Sequence, residues 1–286
     1  MIKSLAKRLP FMMRLIRLKR DFSAFRHPLQ NTGTLPGYEL IQLGTEYGGW
    51  TLAKHPALHG STIISAGVGE DISFDVAFAN KFNARVVLVD PTPKAVNHYT
   101  TLAARFGCES SAPFEKGTGS QPAEAYDLKE LEAQRLTLVP KALWNEKTVL
   151  KFFMPPNPDH VSCSIGNYQN NYRDDTKHIE VESTTVHELV ENIGLDVNGL
   201  ALIKLDIEGA EIEVIQDMLD KDIKPAQILV EFDELNAPSK EGHGRIDSAH
   251  ASLTQHGYKC IHTDGQTDFL YVREDAFQDA TPSNPA

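Results

Sequence analysis

Lys204 and Asp206 stand two residues apart in the run KLDIEGAE (204–211). If that run closes a strand, both side chains point to one face, while Ile203 and Leu205 take the other. A lysine and an aspartate at the carboxyl end of a central strand are costly unless they are paired or face a cleft. The chemistry on offer there is proton abstraction. Asp206 would orient or deprotonate an acceptor hydroxyl, and Lys204 would hold its charge. Glu208 and Glu211 flank Gly209 at the start of the next helical pattern. The same residues also read as helix caps and dipole partners, with Lys204 in a structural ion pair. A metal held by Asp206, Glu208 and Glu211 is a third arrangement, but no histidine or further acid has a fixed spacing to them, so no metal is expected. The candidate catalytic set is Asp206, Lys204 and Glu208.

The second constellation is the glycine turn Ser65-Ala66-Gly67-Val68-Gly69-Glu70, which follows an apolar run and precedes a helical pattern. Glycines there let backbone approach a ligand, and a helix N-terminus offers unpaired N–H groups. Asp90 follows about twenty residues on, at the end of the next apolar run, where an acid can accept bonds from ribose hydroxyls. Nicotinamide dinucleotides and S-adenosylmethionine both use this arrangement. The dinucleotide pattern needs a third glycine beside the pyrophosphate, and Ile72 stands in its place. S-adenosylmethionine has no phosphate, so the turn favours it.

These residues need a frame. Ser61–Ala66, Arg85–Val89, Leu136–Val139, Leu200–Leu205 and Ile228–Phe232 read as strands, being short and rich in Val, Ile and Leu. Helical spacing occupies Asp71–Phe82, Pro93–Phe106, a stretch ending near Gln134, Glu211–Leu219 and Ile246–Gln255. Tyr258–His262 and Asp268–Val272 read as a hairpin around Asp264-Gly265. Strand–helix alternation with right-handed crossovers predicts an α/β fold with a mainly parallel, doubly wound sheet and a C-terminal antiparallel hairpin. Residues 27–60 read as an irregular lead-in, 61–272 as the catalytic domain and 273–286 as a loose tail. The Gly242–Gly244 pair around His243 reads as a mobile turn before the last helix.

The 286 residues carry 28 Lys+Arg against 39 Asp+Glu, a formal net charge of −11. Seven of the basic residues fall in the first twenty, which hold no acid, so residues 21–286 carry a net −18. The domain is therefore not expected to bind nucleic acid. Residues 1–26 form a basic segment in which Ile2, Leu5, Leu9, Met12 and Ile16 recur at helical spacing among lysines and arginines. It reads as an amphipathic helix on an anionic membrane surface, as a helix packed on its own acidic domain, or as a targeting peptide. No run suits a membrane span. Three cysteines (Cys108, Cys163, Cys260) without a CxxC pair argue against a disulfide scaffold or zinc ribbon and for a reducing compartment, hence a cytoplasmic protein, peripheral to the membrane if residues 1–20 dock there.

Taken together, GVGEDISFD (67–75), VDPTP (89–93), PPNPDHVSCSI (155–165), KLDIEGAE (204–211) and VEF (230–232) resemble the FkbM-like S-adenosylmethionine-dependent methyltransferases. The resemblance implies a class I, Rossmann-like methyltransferase fold and O-methylation of a hydroxyl on a sugar, glycan or polyketide-like small-molecule acceptor. It implies that Gly67, Val68 and Gly69 line the methionine part of S-adenosylmethionine, that Asp90 binds its ribose, and that Ala142 borders its adenine. Ser65 and Pro91 complete the expected cofactor set. Ser65 stands where many methyltransferases carry an acid, and Cys163 and Asp233 stand where relatives often carry histidine.

The turn-rich segment 155–175 holds a candidate base, His160, a candidate reactive thiol, Cys163, and a sugar-contacting set of Tyr168, Tyr172, Asn167, Asn170 and Asn171. Two rival functions stay in view. One is an NAD-dependent Rossmann enzyme; the other is a non-catalytic, membrane-associated binding module that keeps the fold.

Overall fold

The computed structural model describes residues 26–154, 165, 176–196 and 199–277. The basic segment 1–20 lies outside the described residues. So do His160, Cys163 and the Tyr/Asn set of the 155–175 segment, and the tail beyond Phe277.

A seven-stranded sheet forms the centre. In chain order its strands are β3 (Thr62–Ala66), β4 (Arg85–Val89), β5 (Leu136–Val139), β9 (Leu200–Leu205), β10 (Gln227–Glu231), β11 (Tyr258–Thr263) and β12 (Asp268–Arg273). They lie side by side as β5-β4-β3-β9-β10-β12-β11, and only β12 runs against the rest. The inner strands are apolar on both sides because both faces are covered. One face carries α3 (Val186–Asn192), α4 (Glu211–Asp220) and α5 (Lys240–Gln255), packed over Ile64, Val87, Ile203 and Ile228. The other carries α1 (Ser73–Phe82), α2 (Pro93–Ala103) and a two-stranded ribbon, packed over Ile63, Leu88, Leu202 and Leu229. The expected doubly wound sheet and terminal hairpin are both present, and the order is that of the class I methyltransferase fold.

The lead-in is not irregular. Its ribbon, β1 (Leu40–Leu43) and β2 (Trp50–Ala53), pairs in antiparallel register from Leu40 with Ala53 to Leu43 with Trp50. It is tied to the sheet where the Gln227 side chain bonds both the N–H and the carbonyl of Ala53, at 2.9 and 2.8 Å. The helical pattern ending near Gln134 is instead two single 3-10 turns, Ala123–Ala125 and Ala133–Arg135. Its apolar residues Tyr126, Leu128 and Leu131 are buried along an extended path, pinned where the Leu128 N–H donates to Cys108.

A further small sheet of β6 (Ala142–Leu143), β8 (His178–Thr184) and β7 (Val149–Phe153) is added beside the main one. The Gly242–Gly244 pair is helical, not a turn. Ser239 caps α5 by accepting the Gly242 N–H at 3.0 Å, and a glycine there lets the helix approach Glu234. The tail begins in order as well. Helix α6 (Glu274–Phe277) places the Phe277 ring against Tyr38 and His55.

Candidate active site

The glycine turn follows β3 directly. Gly67 has φ +74° and Gly69 φ +52°, a backbone region that glycine enters without penalty. Close approach constrains Gly67 as well, because the carbonyl oxygen of Asp206 fills the place where a side chain would begin. Asp90, at the tip of the neighbouring β4, holds the turn from the other side. Its Oδ2 accepts the N–H groups of Val68 and Gly69 at 3.0 and 3.1 Å, and its Oδ1 accepts the N–H and hydroxyl of Thr92 at 2.8 and 2.7 Å. The acid expected to meet a ribose therefore already makes four bonds that shape the turn.

At the tip of β9, Lys204 and Asp206 do share a face. Lys204 is nearly buried, and its Nζ donates to the carbonyl of Gly67 at 2.5 Å and to Asp206 Oδ2 at 3.3 Å. The same ammonium lies 5.2 Å from the centre of the Trp50 ring, a cation–π distance. Asp206 stays one-third exposed and opens to the cleft. Glu208, with φ +55°, lines the cleft two residues on. Glu211 turns back into the loop, where its carboxylate accepts the N–H groups of Ile207 and Gly209. Burial raises its pKa well above the usual carboxylate range. The three acids of KLDIEGAE do not converge. Among the described residues no group of three His, Cys, Asp or Glu side chains is arranged to hold a metal ion.

Strand register extends the acidic edge. Val230 of β10 is level with Leu205, so Glu231 follows beside Asp206; Glu231 in turn pairs across the ladder with Asp268 of β12. Three carboxyls thus stand in a row along adjacent strand ends. Burial and the neighbouring Asp206 and Asp268 push the pKa of Glu231 well up. Asp268 is pushed up to about 7 by burial and then by Asp264 and Asp206.

The lead-in closes the top. The β1–β2 connection carries Glu46, Tyr47 and Gly48 to the cleft rim, followed by Trp50. It is fastened to the glycine turn through Asp71. One oxygen of Asp71 accepts the Thr45 hydroxyl at 2.6 Å, and the other accepts the Ser73 N–H at 3.0 Å. The Tyr47 ring lies against Gly119 of the polar 110–122 loop, where any side chain would meet it. The cleft, partly open to solvent, has a volume of about 770 Å³, within the range of small-molecule sites.

Of the expected cofactor residues, Gly67, Val68, Gly69, Asp90, Pro91 and Ala142 line this cleft, as do the expected catalytic residues Lys204, Asp206 and Glu208. Ser65 does not. It is wholly buried beneath the turn, because the pairing of β3 with β9 points its side chain inward with that of Lys204. Sequence reading passed over Tyr47, Trp50, Asp75, Glu231, Asn236 and Asp268, which also line it. The closely spaced Gly44, Gly48 and Gly49 before Trp50 were the available signal for the first two.

A sequence model described as "Methyltransferase FkbM domain" matches residues 68–260. Comparison with the curated proteins gives no match. Among solved structures the chain is similar to monomeric WbdD, with TM-score 0.37, 12% identity, and 74% of this chain and 36% of that chain covered. It is also similar to the Methanococcus jannaschii fibrillarin pre-rRNA processing protein, with TM-score 0.36, 10% identity, and 84% of each chain covered. The chain thus spans about a third of WbdD's length.

Proposed function

The chain belongs to the FkbM methyltransferase family, and from that premise we propose that it moves a methyl group from S-adenosylmethionine to a hydroxyl of a sugar, glycan or polyketide-like acceptor. The observation that carries this reading is a cleft at the strand ends that has the glycine turn and Asp90 at one side and the Lys204–Asp206 pair at the other. The residues suit this donor. The turn has room for backbone contact but no third glycine for a pyrophosphate, since Ile72 is buried there. Gly67, Val68, Gly69 and Pro91 would hold the donor, and Ala142 would border its base.

When bound, the donor supplies a methyl group on a positively charged sulfur, ready for in-line displacement. The chain's own residues do the rest. Asp206 accepts the proton of the acceptor hydroxyl, held in place by the Lys204 ammonium at 3.3 Å. Trp50 covers the strand ends and excludes water there, with Tyr47 at the rim, so that alignment supplies much of the rate. Around this cleft Glu46, Glu70, Glu208, Glu231, Asp233 and Asp268 are set against Lys204 as the sole lysine or arginine of the described lining. That balance favours an acceptor whose reacting end carries hydroxyls and no phosphate or carboxylate, and it disfavours nucleic acid.

No helix among the described residues is long and apolar enough to cross a membrane. We keep the basic residues 1–20 as a contact with anionic lipid, which would bring the cleft to acceptors at that surface. Calorimetry with S-adenosylmethionine and with NAD, run side by side, tests the donor. Binding of the first alone is expected, and binding of NAD alone would restore the rival dehydrogenase reading.

A further inference from the structure

Asp75 sits in the first turn of α1 with 2% of its surface exposed, and it borders the cleft beside the glycine turn. Its Oδ1 is buried without a hydrogen-bond partner, and the hydroxyl of Ser65 faces the carboxyl from β3 and favours its charged form. Buried acceptors are nearly always satisfied, so an orphan carboxylate oxygen on a cleft wall calls for a ligand donor. Three neighbouring carboxylates are already engaged. Asp71 is bonded to Thr45 and Ser73, Asp90 to Val68, Gly69 and Thr92, and Asp206 to Lys204. A neutral hydroxyl would satisfy the oxygen, whereas a positively charged amine would also add to the attraction that Lys204 exerts on this buried charge from β9. On the reading that S-adenosylmethionine is the donor, one such group is at hand, the amino group of its methionine part.

We propose that Asp75 binds the amino group of the methyl donor, with the hydroxyl of Ser65 supporting it from below. The charges facing Asp75 suit this role. Lys204 draws on it from β9 and Asp71 opposes from the approach to α1, while burial is the largest influence and holds its pKa up at about 6. Below that value the carboxyl must give up a proton before it can take the amine, so donor affinity weakens in acid.

The test is calorimetry with two probes, S-adenosylhomocysteine and the same molecule with hydrogen in place of its amino group. The protein should prefer the amino form at least tenfold at pH 7.5, and the preference should shrink on going to pH 5. Asp75→Asn should weaken the amino form tenfold or more and leave the deaminated form within twofold. Adding Ser65→Asp to Asp75→Asn should restore the preference by moving the carboxylate across to β3. Equal weakening of both probes, or of neither, overturns the assignment. If Asp75→Asn does not fold, the unaltered protein still decides, since a probe preference that ignores pH overturns the assignment too. Binding of neither probe to the unaltered protein is a separate result and refutes the donor itself.

Discussion

The carbonyl oxygen of Asp206 lies against the α-carbon of Gly67, so the tips of β9 and β3 share one tight junction. The Asp206 N–H donates to Ala66 at 3.2 Å and the Gly67 N–H donates to Val89 at 3.0 Å, which joins β9, β3 and β4 at the point where the cleft opens. The residue placed to take a proton and the turn placed to meet the donor are thus fixed relative to each other by backbone. Gly67→Ala puts a methyl group into that carbonyl at a left-handed φ. A loss of about 3 kcal/mol or more in denaturant unfolding is expected. Gly265→Ala serves as the control, because its φ of +81° carries the backbone strain with no backbone contact that close.

Lys204 donates to Gly67, touches Asp206 and faces Trp50, so it ties the acid to the turn and to the roof. Lys204→Met removes a nearly buried charge and leaves Asp206 and Asp75 without it. A stability loss of about 3–5 kcal/mol is expected from breaking such a pair. Lys204→Arg, which keeps the charge but not the compact ammonium, should retain the fold and lose at least tenfold in kcat. Unchanged kcat in Lys204→Arg would show that the placement of the charge is immaterial.

Trp50 is buried over the strand ends, while Tyr47 is more than half exposed at the rim. Trp50→Ala removes a large apolar surface and the cation–π partner, with an expected cost of about 3–5 kcal/mol. Tyr47→Ala should barely change the melting temperature but should raise the acceptor KM. Measuring stability and KM on both variants separates roof from rim. A Tyr47→Ala protein with unchanged KM would remove that residue from the acceptor site.

Asp268 is raised to about 7, chiefly by burial, against an ordinary value near 4. Such a group binds more protons folded than unfolded, so its contribution to stability declines as pH rises from near 4 towards 7. Asp268→Asn should melt close to the unaltered protein at pH 4.5 and above it at pH 7.5. A difference independent of pH would contradict this environment for Asp268.

Much of the site was legible because it is local. Gly67, Asp90, Lys204 and Asp206 each close a strand whose apolar run is visible in the sequence, and strand ends are where an open α/β sheet binds ligands. The rest depends on pairings that no short window contains. Glu231 meets Asp206 through the register of β10 on β9, and Asp75 meets Ser65 only once α1 packs under the turn. Trp50 opens a strand of four residues and Tyr47 lies in the connection before it; both strands of that ribbon are too short for alternation to show, and the ribbon is held by the distant Gln227. The stretch before Gln134 carried helical spacing, yet its apolar residues serve an extended path over α1 and α2. The spacing of apolar residues reports burial before it reports the shape of the chain.

The central claim is methyl transfer from S-adenosylmethionine to a hydroxyl with Asp206 as the base. It is tested most directly by supplying labelled donor to fractionated source extract with the protein or with Asp206→Ala. Label should enter a product as a base-stable methyl ether, and Asp206→Ala should lose at least about a hundredfold in rate while binding the donor within threefold. A labelled product formed at full rate by Asp206→Ala, or no labelled product from the unaltered protein, would contradict the account.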